Sequence, residues 1–184
     1  MHNRLEKEIQ EILKTCNYTL EIANIKDIDN ILCIYSERMK WFKDNNIKQW
    51  SNYLKNHPKE EFVEIINDRH LYMLKQHKTI IAVFVIDNNS SLWKSDDNRA
   101  YYISKIAVKT GYKGIGKIII EIAKSICIND NKKYLRLECV KNNIRLNQIY
   151  VNYGFKLKKT GKEKYSYCLR ELIINEESSY RNCG

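Results

Sequence analysis

Apolar residues recur along this chain with two periods, and the periods mark its elements. Leu5, Ile9, Ile12 and Leu13 share one helical face across residues 3–15, the spacing of a surface helix. Tyr18–Ala23 alternates as a half-buried strand does. Ile28, Ile31, Leu32, Tyr35 and Met39 predict a long helix running to about Asn45, with Asp27 or Asp29 as its cap. Pro58 suits the first turn of a short helix through Asn67. His70–Gln76 and Thr79–Asp87 read as a hairpin around His77–Lys78, without the favoured Asn-Gly turn. A polar loop, residues 88–99, separates it from a strand at Ala100–Val108. A helix from Gly114 to about Asn129 follows, with Ile119, Ile122, Ala123 and Ile126 on its buried face. Tyr134–Val140 is the next strand. Asn143 then caps a helix through about Asn152 that Gly154 stops. Phe155–Lys159 and Lys164–Glu171 close the pattern as an antiparallel pair around Gly161. The expected order, α-β-α-α-β-β-β-α-β-α-β-β, is a mixed α/β sheet with helices on both faces.

Pro58 is the only proline, and no linker or repeat interrupts the pattern. The expected organisation is therefore a helical extension (1–17), one domain (18–174) and a frayed tail (175–184). Hydrophobic content of 43% and charged content of 29% suit a soluble globular chain. No apolar run approaches the ~18 residues of a membrane span, and the first residues lack a signal peptide's apolar region. Cys16, Cys33, Cys127, Cys139, Cys168 and Cys183 form no C-x-x-C pair and no metal-ligand spacing with histidine. They are expected to be reduced packing residues of a cytoplasmic protein, with no metal site. The histidines at 2, 57, 70 and 77 show no paired pattern and read as surface or packing residues.

Charge changes the picture. Residues 1–99 hold 15 basic and 15 acidic side chains, whereas residues 100–184 hold 17 and 7. The net charge of +10 thus falls in one half, a field that draws anionic ligands. That half also carries Gly111, Gly114 and Gly116 between a strand and a helix, an arrangement that offers free backbone N–H groups to a phosphate. Gly111–Lys117 fits G-x-x-x-x-G-K, but a nucleoside-triphosphate loop then needs Ser or Thr for Mg²⁺, and Ile118 stands there.

A better match joins two motifs. Val108, then Gly114-Ile115-Gly116 and the helix KIIIEIAK, is followed by Asn143, Tyr150 and the pair Gly154-Phe155. These resemble the central motifs of the GNAT superfamily of acyl-CoA N-acyltransferases, in order and on the expected elements. WFKDNNIKQW, Trp93 and KKYLRLECV extend the resemblance to a bacterial subgroup over residues 18–172. It implies a reaction type without naming the acceptor. It also implies a GNAT-like α/β (α+β) fold, with a mostly antiparallel central sheet whose two central strands splay apart. The chain departs from the family at Gly111, where Arg or Gln is usual, in a turn that looks two residues shorter, and at Ser104, where the subgroup has His.

The implied co-substrate is acetyl-CoA, with no metal. Tyr112, Lys113, Gly114, Ile115, Gly116 and Lys117, with Gly111, would wrap its pyrophosphate, and pantetheine would pair with the edge at Ile106, Ala107 and Val108 as a peptide adds to a sheet. Tyr150 matches the family's proton donor to the leaving thiolate. Glu138 is the candidate to draw the amine proton, and Asn143 bonds pantetheine, caps its helix, or both. Trp41, Trp50, Trp93 and Tyr101 are the candidate walls of an acceptor pocket. The expected acceptor is a small-molecule primary amine, and the expected partners exclude nucleic acid and membrane. A homodimer stays open. The alternative function is a non-catalytic CoA-sensing or basic nucleic-acid-binding module.

Overall fold

The computed structural model describes residues 2–93 and 98–174; the expected tail, 175–184, lies outside them. The elements are α1 (His2–Thr15), β1 (Tyr18–Ile22), a 3₁₀ turn (Ile25–Asp27), α2 (Ile28–Asp44), α3 (Tyr53–Asn56), α4 (Lys59–Asn67), β2 (Leu71–Gln76), β3 (Thr79–Asp87), β4 (Ala100–Val108), α5 (Ile115–Asn129), β5 (Tyr134–Val140), α6 (Ile144–Asn152), β6 (Lys156–Lys162) and β7 (Ser166–Ile173). The seven strands follow the order β1-β2-β3-β4-β5-β7-β6. β1–β2, β2–β3, β5–β7 and β6–β7 pair antiparallel, and β4–β5 pairs parallel. This is the expected mixed, mostly antiparallel sheet flanked by helices.

Three local expectations are corrected. Asp27 makes no side-chain cap bond for α2. A 3₁₀ turn precedes the helix, and Asp27 spends its carboxylate on the Asn24 amide at 3.1 Å, while Asn24 caps Lys26. α5 begins at Ile115 because Gly114 stands at φ +77°, outside helical space. Gly161 lies within β6 opposite Tyr167, and the turn falls at residues 163–165. The Tyr167 ring occupies the space a Cβ would need at Gly161, so glycine here admits an aromatic cover. The hairpin expected around His77 holds, with His77 itself at φ +53°.

The chain forms two compact units and crosses between them four times. The amino-terminal unit comprises Leu13–Ile86 and Ser104–Gly116; the carboxy-terminal unit comprises Met1–Ile12, Asp87–Ile103 and Lys117–Gly184. The amino-terminal core gathers Ile28, Ile31, Ile34 and Tyr35 of α2, Phe62 and Ile66 of α4, and Leu71, Val83 and Ala107 of the strands. Leu32 and Met39 pack at its margin, as the spacing predicts.

In the carboxy-terminal unit, β4 and β5 join over three register pairs, Ala100–Tyr102 with Tyr134–Arg136, against seven for β5 with β7. The buried Arg136 guanidinium donates to Glu171 at 2.8 Å and to the Tyr102 hydroxyl at 3.0 Å. Losing one partner of such a pair costs about 3–5 kcal/mol.

Candidate functional site

The glycine turn belongs to the amino-terminal unit. β4 ends at Val108, and Gly111 and Gly114 adopt φ of +88° and +77°. Nothing lies within 4 Å of the position a Cβ would take at either glycine, so no side chain stands over the backbone there. Ile115, Gly116 and Lys117 form the first turn of α5, whose leading N–H groups have no acceptor within the helix. Tyr112 is fixed by its hydroxyl, which donates to Gln76 Oε1 at 3.2 Å. Lys113 is exposed.

α2 holds both the strand end and the turn. Arg38 donates through Nε to the Val108 carbonyl at 2.9 Å, and through Nη2 to the same oxygen. Its guanidinium lies 5.1 Å from the centre of the Trp41 ring. Glu37 accepts from the Thr110 amide at 2.7 Å and from its hydroxyl. Burial pushes the Glu37 carboxyl up, but the Thr110 bonds, Lys109 and Arg38 outweigh it and hold the group below its ordinary value. The Lys109 amide is committed to Ile81 O at 2.8 Å. Sequence reasoning missed Arg38, although a signal was present: it follows Ile31, Ile34 and Tyr35 at i+7, i+4 and i+3, a charge on the buried stripe.

A second cluster hangs from Lys105, which precedes Ile106, Ala107 and Val108 on β4. Lys105 stands at φ +51° within the strand, a conformation that costs a side chain about 1–2 kcal/mol. Its carbonyl accepts from the Tyr35 hydroxyl at 2.6 Å. Its side chain is 14% exposed, and its ammonium lies 2.8 Å from Glu61 Oε1 and 3.1 Å from His57 Nδ1. Glu61 Oε2 is 2.9 Å from the same Nδ1. Burial raises the Glu61 carboxyl, but its bonds to Lys105 and His57 prevail and lower it. Tyr53 lies over His57 at 4.5 Å and Trp50 stacks on Tyr53 at 4.4 Å.

Tyr150, Glu138 and Asn143 belong to the carboxy-terminal unit. Asn143 is the cap of α6: its Oδ1 accepts from the Leu146 amide at 3.0 Å. Tyr150 lies on α6, edge-on to Phe155 at 5.7 Å. Burial, with Cys139 and Tyr153 nearby, pushes its phenol well above the ordinary range, so the hydroxyl stays protonated. Glu138 Oε1 accepts from the Tyr165 hydroxyl at 2.7 Å. The turn from β5 into α6 is fixed by a residue the sequence reading passed over. Asn147 Nδ2 donates to Val140 O and Asn143 O, both at 2.9 Å, while its Oδ1 accepts from Arg170 at 2.9 and 3.1 Å. An interior helical asparagine one turn past a capping asparagine was its only signal.

The four aromatic candidates fall into two sets. Trp41 and Trp50 line the amino-terminal unit beside Arg38 and Tyr53. Trp93 and Tyr101 lie in the carboxy-terminal unit. Trp93 covers Arg136 at 4.7 Å, and Tyr101 donates to Asp130 at 2.7 Å. Among the described residues, no group of three or more His, Cys, Asp or Glu is disposed to hold a metal, and no helix is long and apolar enough to cross a membrane.

The acetyltransferase (GNAT) family pattern matches residues 34–155, about two thirds of the chain. An uncharacterized N-acetyltransferase of Bacillus subtilis (strain 168), YesJ, is 23% identical over 163 residues, spanning 84% of this chain and 89% of that protein. A GNAT-family acetyltransferase of Listeria monocytogenes 4b F2365 is 24% identical with a TM-score of 0.70, over 85% of this chain and 94% of that one. The PaiA N-acetyltransferase of Thermoplasma acidophilum, solved with coenzyme A, is 16% identical with a TM-score of 0.67, over 85% and 98% of the two chains.

Proposed function

The chain belongs to the GNAT family of acetyltransferases, and on that premise we propose that it moves an acetyl group from acetyl-CoA to a small-molecule primary amine by direct attack in a ternary complex. One observation carries the reading. β4 runs into a turn whose two left-handed glycines leave open space, and α5 starts at once with unspent N–H groups. That surface suits a diphosphate, because backbone can approach it without a side chain between. Lys109, Lys113 or Lys117 makes the contact to the pyrophosphate that Arg or Gln would make in place of Gly111. Pantetheine then runs from the turn along Ile106–Val108.

The reaction needs a neutral amine, a stabilised oxyanion and a proton for the departing thiolate. A β4 amide near Val108 serves the oxyanion. Tyr150 gives the thiolate its proton, a role that a phenol held protonated can fill across the neutral range. Glu138 attracts the incoming ammonium. Trp41 and Trp50 are the aromatic candidates for the acceptor side.

Calorimetry with acetyl-CoA and thiol release against a panel of primary amines test the reading. Gly116→Glu places a carboxylate at the helix N-terminus, where it suits the fold but repels a diphosphate. The variant is expected to keep its Tm and lose acetyl-CoA binding. Unchanged affinity would refute the turn as the cofactor site. Acetyl-CoA binding with no thiol released for any amine would favour a sensor, and salt-sensitive binding of oligonucleotides without acetyl-CoA binding a nucleic-acid module.

A further inference from the structure

The family reading leaves one charged cluster unused: Lys105, Glu61 and His57, in the amino-terminal unit. Its hydrogen bonds constrain the proton on His57. Nδ1 faces both Lys105 Nζ at 3.1 Å and Glu61 Oε2 at 2.9 Å. An ammonium has only protons to offer, so Nδ1 either accepts from Lys105 or donates to Glu61, never both. If it accepted, Glu61 Oε2 would lose its donor. If it donates, Lys105 still donates to Glu61 Oε1 at 2.8 Å, and each carboxylate oxygen takes one donor. Both arrangements make two bonds, but only the second gives each oxygen of the carboxylate a donor, and bonds to an ionised acceptor are the stronger kind. The second places the proton on Nδ1 and leaves the lone pair on Nε2, which has no partner among the described residues.

The Tyr53 ring lies against His57 at 4.5 Å, tilted by 43°. Tyr35, under the same cluster, is pushed well above the ordinary tyrosine range by burial, with Tyr53 and Glu61 adding to it, so it stays a neutral donor to the Lys105 carbonyl. His57 is 34% exposed at its side chain, so Nε2 is within reach of a small ligand. Trp50, Tyr53 and His57 form a ladder with centroids 4.4 and 4.5 Å apart.

We propose that His57 is the general base, taking a proton on Nε2 from the acceptor's ammonium, with Glu61 and Lys105 as positioning residues. The inference rests on the acetyl-transfer reading, because it is the pantetheine lying along β4 that brings the thioester toward Lys105, three residues before Val108 and about 10 Å along a strand. R–NH₃⁺ gives one proton to Nε2, and the amine nitrogen attacks the acetyl carbon. The C–S bond breaks, the second amine proton ends on the coenzyme thiol, and His57 returns the first to water. The left-handed backbone of Lys105 fits this role, since strain of that kind is held where a side chain must be aimed.

Two measurements on the full chain test it. Nitrogen-15 imidazole spectra of the ligand-free protein at neutral pH should show His57 as the Nδ1–H tautomer, changed in Glu61→Gln. An Nε2–H or doubly protonated ring would overturn the assignment. In turnover with the primary amine that the wild type acetylates fastest, His57→Gln should lower kcat/KM about 10²-fold or more and abolish its decline toward acid pH. Its acetyl-CoA affinity by calorimetry should be unchanged, which shows the variant folded and its cofactor site intact. If that decline survives in His57→Gln and vanishes in Glu138→Gln, the base is Glu138 and the proposal is wrong. Failure of the wild type to bind acetyl-CoA would instead remove the acetyl-transfer reading itself.

Discussion

Tyr150 keeps its proton because burial, Cys139 and Tyr153 all oppose a phenolate, and its ring already packs edge-on to Phe155. Tyr150→Phe preserves that packing and removes only the donor. It should lower kcat by about 10²–10⁴-fold with little change in KM for acetyl-CoA, in steady-state kinetics; wild-type constants would leave Tyr150 a packing residue. Its helix and spacing were readable in the sequence because Asn143 and Gly154 punctuate both ends. Arg38, Asn147 and His57 were harder to read. Each owes its position to a partner distant along the chain: Val108 for Arg38, Arg170 for Asn147, and Lys105, acting through Glu61, for His57. Periodicity reports which face a residue occupies, and here it marked Arg38 as inward. It cannot report what waits on the other side. The Glu61–His57 spacing of four residues hinted at a pair, but Pro58 between them hid the helical link.

Elements were legible where one period held over two turns or more. α2, α5 and the β2–β3 hairpin fall close to their expected bounds, and they carry most of the amino-terminal core and the turn. Shorter signals misled. Asp27 resembled a helix cap but serves the 3₁₀ turn before it, and Gly161 resembled a hairpin turn but lies inside a strand. The reason at Gly161 is a cross-strand contact with Tyr167, invisible to local pattern. Gly161→Ala should therefore destabilise the β6–β7 pair, since a methyl group must displace a buried aromatic ring. The expected loss is about 1–3 kcal/mol, read as a fall in thermal midpoint of about 2–4 °C per kcal/mol. A joint Tyr167→Leu change should recover part of it; an unchanged midpoint for Gly161→Ala alone would show that the ring moves aside freely.

For the molecule as a whole, acidity is the informative variable. Glu37 and Glu61 both titrate below the ordinary glutamate value of 4.5. A carboxylate depressed by folding adds stability that is complete above its unfolded value and is lost as pH falls through the folded one. Thermal midpoints should thus hold near neutrality and fall below about pH 4.5, and Glu61→Gln should flatten that fall; parallel curves for the two proteins would contradict it. The sequence offered no hint of two units, for a physical reason. Linkers mark domains laid end to end, whereas here β4 and α5 themselves carry the chain across. During synthesis, residues 13–86 leave the ribosome before Ala107, which belongs to their core, and before Lys105, which neutralises Glu61. Between them comes the polar stretch 88–99. A nascent chain halted ahead of β4 therefore holds an unfinished interior, exposed to chaperones and proteases until the strand that completes it has been translated.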